Sequence, residues 1–182
     1  MERIKTIAKN ILYAIWRVIP FEGPGAVILM YHSIGDTKHF FSVSVAEFER
    51  QMKYLHDRQF NVVSLTQLAT LQSNGQIPPK TVALTFDDGY QDNYTQAFPI
   101  LKKYDIPATI FFITGGVKPF QDLPMLSLDE VRTLEQSGIV SIQPHSVTHQ
   151  KLTKLSESDI EREITQSKLF VEQLLSKTCE HF

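Results

Sequence analysis

An α/β fold with a parallel sheet covered by helices is what this sequence predicts, on three observations. Short apolar runs recur at 26–31, 81–86 and 107–113, each apolar at successive positions rather than alternating. Strands buried on both faces have that pattern, and parallel sheets are built from them. Between the runs lie segments with helical periodicity, so strand and helix alternate along the chain. Across the 182 residues no repeat, low-complexity tract or long linker appears, which fits about one domain.

The elements follow in order. After the turn-rich FEGPG, the run AVILMY at 26–31 reads as a first strand. Val45, Phe48, Met52 and Leu55 fall on one face of a helix within 45–60. A short strand at 61–63 is followed by Ser64, a plausible N-cap for a helix through Leu71. The loop SNGQIPPK leads into a strand at 81–86, and Phe98 and Leu101 mark a helix ending near Tyr104. PATIFFI reads as the next strand. Ser127-Leu128-Asp129-Glu130 is a capping-box pattern opening a helix that Gly138 terminates. A strand at 139–142 and a helix at 157–175 complete the series, and CEHF at 179–182 reads as the opening of a sixth strand.

Residues 1–22 stand apart from a domain spanning 23–182. Ile4, Ile7, Ile11 and Ile15 recur at helical spacing among Arg3, Lys5, Lys9 and Arg17. The apolar run at 11–16 is stopped by Arg17 with no cleavage site after it, unlike a secretory signal. It is also shorter than the roughly 20 apolar residues of a membrane span. Two readings stay open: an amphipathic helix docked on its own domain, or a basic one resting peripherally on an anionic membrane through residues 1–20. Compartment is left undetermined. A net charge of −2 gives no nucleic-acid footprint. The single cysteine, Cys179, excludes an intrachain disulfide and a Cys-rich zinc module.

The chemistry gathers where such folds place it, at the C-terminal ends of strands. Tyr31-His32 follows the first strand, Asp87-Asp88-Gly89 follows the third, and His145 and His149 follow the fifth. Two imidazoles four residues apart can reach one ion from a single turn, and one carboxylate completes a His-His-Asp set with room for water. Zinc suits these N/O donors, although other divalent ions do too. Two adjacent acids raise each other's cost of ionisation unless a cation or hydrogen-bond donors stand nearby. One acid on the ion and the other free as a base would answer that difficulty. Tyr90 and Tyr94 either line a groove or pack a helix start. His39 and Phe40-Phe41 read as surface loop, and His56 as a solvated helix residue.

TFDDGY together with HSVTH resembles the first two motifs of the polysaccharide deacetylases, the NodB-homology or carbohydrate esterase family 4 group. PATIFFITGG and HQKLTKLS fit the flanking pattern, so the resemblance covers roughly residues 26–182. It implies a distorted (β/α) barrel and a metal-dependent removal of acetyl groups from N-acetylated polysaccharide. By motif position, Asp87 resembles the general base and Asp88, His145 and His149 the metal ligands. LMYHSIG at 29–35 resembles the circularly permuted, poly-N-acetylglucosamine deacetylase-like branch, which makes His32 the candidate general acid. Tyr90 is expected to contact substrate, with an amide near it stabilising the oxyanion. The Arg-bearing third motif and a later Asp-bearing motif are absent up to Phe182, so a barrel lacking its C-terminal part is expected. Two other functions remain compatible: a small-amide metallohydrolase on the same scaffold, and a non-catalytic glycan-binding or vestigial protein.

Overall fold

The computed structural model describes residues 25–116 and 123–182. The expected amphipathic segment at 1–22 lies outside the described residues. Five strands form one parallel sheet: β1 (Ala26–Tyr31), β2 (Asn61–Val62), β3 (Thr81–Phe86), β4 (Ala108–Phe112) and β5 (Val140–Pro144). β1 pairs with β3 along its whole length, Ala26 opposite Thr81 through Tyr31 opposite Phe86. β2 and β4 therefore share the other edge of β3, β2 at Thr81–Val82 and β4 at Thr85–Phe86. β5 continues the sheet beyond β4, in register from Ala108–Val140 to Phe112–Pro144. β1 and β5 do not pair, so the described strands form an open sheet rather than a closed barrel.

The helices are α1 (Val45–Asp57), α2 (Leu65–Ser73), α3 (Phe98–Tyr104), α4 (Leu128–Gln136) and α5 (Glu157–Leu175). None of the described helices is long and apolar enough to cross a membrane. Four of them start at a serine whose hydroxyl accepts an amide of the first turn: Ser44, Ser64, Ser127 and Ser156. Ser64 with Gln67 and Ser127 with Glu130 close full capping boxes. Each such cap contributes about 1 kcal/mol by satisfying amides that have no partner inside the helix.

All six residues of β3 are buried, as expected of a central parallel strand. Tyr31, Phe48 and Phe86 pack edge-to-face or stacked within 5.2–5.8 Å, joining β1, α1 and β3. Met52, Leu84, Leu101, Ile110, Leu134 and Ile142 extend that core without solvent contact. Each such side chain contributes about 1.5–3 kcal/mol on leaving water.

One expectation needs correction. No strand forms at 179–182. The amides there are taken by side chains instead of a backbone ladder, Cys179 N–H by Glu172 Oε1 at 2.9 Å and His181 N–H by Gln143 Oε1 at 3.2 Å. The helix before β4 ends at Tyr104 as expected, and a π-helical turn (Asn93–Ala97) runs directly into its start.

Candidate active site

Three strand ends meet on one rim. His32 follows β1, Asp87 and Asp88 follow β3, and His145 follows β5, with His149 one turn later. The Asp87 amide donates to Tyr31 O and the His145 amide to Phe112 O, both at 2.9 Å, so the sheet hydrogen bonding reaches into the site itself. Gly89 has φ +80°, and a Cβ there would stand 2.8 Å from the Phe112 ring. Only glycine lets the chain leave β3 across β4 so closely.

Asp88, His145 and His149 converge, with one donor atom from each lying within 4.8 Å of the others. Asp88 Oδ1 is 3.2 Å from His149 Nε2 and 3.7 Å from His145 Nε2. That oxygen is buried and makes no hydrogen bond. A buried acceptor without a donor is costly, and two imidazoles turned on it match the spacing of neighbouring ligands around one ion. Ligands about 2.0–2.1 Å from a tetrahedral zinc lie about 3.4 Å from each other. The residues present therefore fit a divalent metal. Burial, outweighing the attraction of Asp87 and Asp88, lowers the His145 pKa and favours the neutral imidazole that ligation requires.

Asp87 stands beside this set and faces His32, with Oδ2 4.0 Å from Nε2. That separation exceeds a hydrogen bond, so neither group is tied up by the other. Burial pushes the Asp87 carboxyl above its ordinary range, with Asp88 adding to the rise and the His145 and His32 charges opposing it.

The loop before α1, read from sequence as surface, borders the site. The Phe41 ring lies 5.5 Å from His32 and stacks on Tyr90 at 6.0 Å, while His39 stacks on Phe41 at 5.2 Å. His56 is exposed beside Asp57, as the sequence indicated. Tyr90 differs from its expected place, because it is fully buried and its ring cannot present a face to substrate. Its hydroxyl has no partner in hydrogen-bonding geometry, and burial followed by the nearby Asp88 carboxylate pushes its pKa upward. Tyr90 also bridges antiparallel to Met125, with Gly89 O and Gln91 N–H bonded to Leu126 and Pro124. In such a bridge the central residue's own amide points away from the partner segment.

Two supports went unread in the sequence. Asn93, on the π-helical turn, donates from Nδ2 to His32 O at 2.7 Å, and Asp92 accepts from Ser33 Oγ at 2.6 Å. The DDGYQDN run contains the signal, since buried Asn and Asp near a reactive strand end need partners.

The chain matches the polysaccharide deacetylase family over residues 74–182, a span that includes both acids after β3 and both histidines after β5. It is 32% identical over 163 residues to the poly-β-1,6-N-acetyl-D-glucosamine N-deacetylase of Staphylococcus aureus, covering 83% of this chain. The chain spans about half the length of the curated relatives it matches, 49% and 55% of two of them. Among solved structures, the Streptococcus pyogenes deacetylase PplD in complex with acetate superposes with a TM-score of 0.76 at 31% identity, over 86% of this chain and 72% of that one. IcaB from Ammonifex degensii does so with a TM-score of 0.74 at 26% identity, over the same 86% and 72%. With the fold recovered at that identity and the family's sequence pattern running from β3 to the end of α5, this chain belongs to the polysaccharide deacetylase family.

Proposed function

We propose that the chain removes acetyl groups from an N-acetylated polysaccharide, with zinc held by Asp88, His145 and His149. The observation that carries this is the buried, unpartnered Asp88 Oδ1 facing two imidazole nitrogens, beside a second acid and a third histidine. The sugar class is supported by the substrate named for the S. aureus relative.

When bound, the ion supplies Lewis acidity to the attacking water and the acetyl carbonyl. Asp87 accepts the proton of that water as general base. The oxyanion that develops on the carbonyl oxygen takes a hydrogen bond from the Tyr90 amide, a role supported by that amide's turning away from the Met125 segment. His32, protonated, gives its proton to the amine nitrogen as the C–N bond breaks. Acetate and a free amino sugar leave. Asp87 and His32 lie 4.0 Å apart, which supports a base and an acid acting at one reacting centre.

Acetate release from N-acetylglucosamine oligomers tests the proposal. Zinc-loaded protein is expected to release acetate, chelation to stop it, and added zinc to restore it. Turnover of small amides with none on the oligomers would replace the polysaccharide with a small-amide substrate. No release from either would overturn the catalytic reading.

A further inference from the structure

Glu163 sits on α5, 2% exposed, with no basic side chain in ion-pair contact among the described residues. Its neighbour Arg162 pairs with Asp159 instead. A buried carboxylate without a cation must be satisfied by hydrogen bonds. Oε2 accepts the Val147 and Thr148 amides, both at 2.8 Å, and Oε1 accepts the Thr148 hydroxyl at 2.7 Å. All three donors belong to the turn between His145 and His149.

That turn is strained. Ser146 has φ +61° and His149 φ +55°, left-handed values that are costly for residues bearing a Cβ. Such backbone persists only where its surroundings over-determine it. Inside the turn a single bond helps, from the His149 amide to Ser146 Oγ at 3.0 Å. On the sheet side, Gly115 N–H donates to Val147 O at 2.9 Å and Thr114 N–H to Ser146 O at 3.1 Å. Glu163 secures the side facing α5, where it takes both the Val147 and the Thr148 amides.

We propose that Glu163 is a positioning residue for the metal ligands. Its carboxylate fixes the Val147–Thr148 backbone and through it the spacing of the two imidazoles. It acts through the turn and contacts neither ring. The inference rests on reading Asp88, His145 and His149 as the ligand set. A residue that only anchors α5 to the sheet would change stability and leave zinc affinity in the folded protein untouched.

The test compares the parent with Glu163→Ala, Glu163→Gln and Thr148→Val. Zinc affinity is measured by chelator competition, and amide hydrogen exchange at Val147 and Thr148 is measured on metal-free protein. Glu163→Ala is expected to weaken zinc about 10–100-fold, the range for losing a group that orients a ligand, with faster exchange centred on the turn. Glu163→Gln is expected to recover most of the affinity, because its amide oxygen can take both backbone N–H groups while the Thr148 hydroxyl rotates to accept. Thr148→Val, which removes one bond and keeps the helix intact, is expected to lose affinity to a smaller degree. A folded Glu163→Ala or Thr148→Val with parental zinc affinity and parental exchange overturns the proposal. If Glu163→Ala does not fold, Thr148→Val decides. Failure of the parent to take up zinc would overturn the ligand reading, and exchange in the metal-free protein would still decide whether Glu163 holds the turn.

Discussion

Asp87 and Asp88 are neighbours in sequence with opposite surroundings. Asp88 is buried with φ +71° and turns an oxygen toward two imidazoles, while Asp87 is partly open and faces His32. Their substitutions are expected to separate two roles. Asp88→Ala or His149→Ala abolishes stoichiometric zinc binding, measured by metal analysis after gel filtration. Asp87→Asn keeps the metal and loses about 10²–10⁴-fold in turnover, the usual contribution of a general base. Full turnover in Asp87→Asn would remove it from that role. At Glu163, burial favours the neutral acid, but the bonds from Thr148 and Val147, with a small attraction from Arg162, outweigh it and hold the pKa below its ordinary 4.5. A depressed carboxylate pKa contributes stability above the unfolded value, and that stability is lost as pH falls through the folded one. Glu163→Gln lacks this contribution. Its unfolding temperature is therefore expected to fall less steeply than the parent's as pH drops below about 4.5, as followed by circular dichroism.

Among the elements, the turn after β5 and the segment after β4 are fitted to each other. A Cβ at Gly115 would lie 2.3 Å from Val147 O, a backbone atom that cannot move alone. Gly115→Ala is expected to cost about 1–3 kcal/mol by overpacking, read by urea denaturation, and to weaken zinc as the turn shifts. The elements themselves were largely legible. β3 has its expected bounds and α5 lies where its pattern put it, because an unbroken apolar run and apolar residues at helical spacing among charges each admit one reading. The strand ends alone put His32, Asp87, Asp88, His145 and His149 on one rim, since a parallel sheet gathers its C-terminal ends on one side. The π-helical turn was not legible, since Asn93–Ala97 has ordinary helix composition and its widening serves a contact to His32 O far away in sequence. Glu163 was hidden for a related reason. In α5 it is one acid among several, and only the tertiary fold separates the buried one from the solvated ones. Tyr90 misled because an aromatic beside a reactive pair suits a groove wall and a core equally well.

For the whole molecule, a ligand that binds only the folded state stabilises it in proportion to the logarithm of its concentration over Kd. Zinc at about 100 times its Kd is expected to add about 2.7 kcal/mol, so chelation lowers the unfolding temperature and re-addition restores it. Magnesium in place of zinc is expected to give a smaller shift, because it prefers oxygen ligands to imidazole. Calorimetry with and without chelator checks both. An unfolding temperature indifferent to zinc would contradict the ligand set.

The placement of Asp88 after β3 and of the two histidines after β5, with β4 between them, also bears on the order of assembly. Parallel pairings cannot form until each intervening helix has crossed back, which makes them slow, non-local events. A nascent chain that has reached only β3 owns the carboxylate without either imidazole. One that has reached β4 is no better supplied. With Asp88, His145 and His149 as ligands, cation capture would wait for β5, the strand that brings both imidazoles to the carboxylate. On the proposed ligand set, a stopped-flow zinc signal during refolding would time the arrival of β5 beside β4.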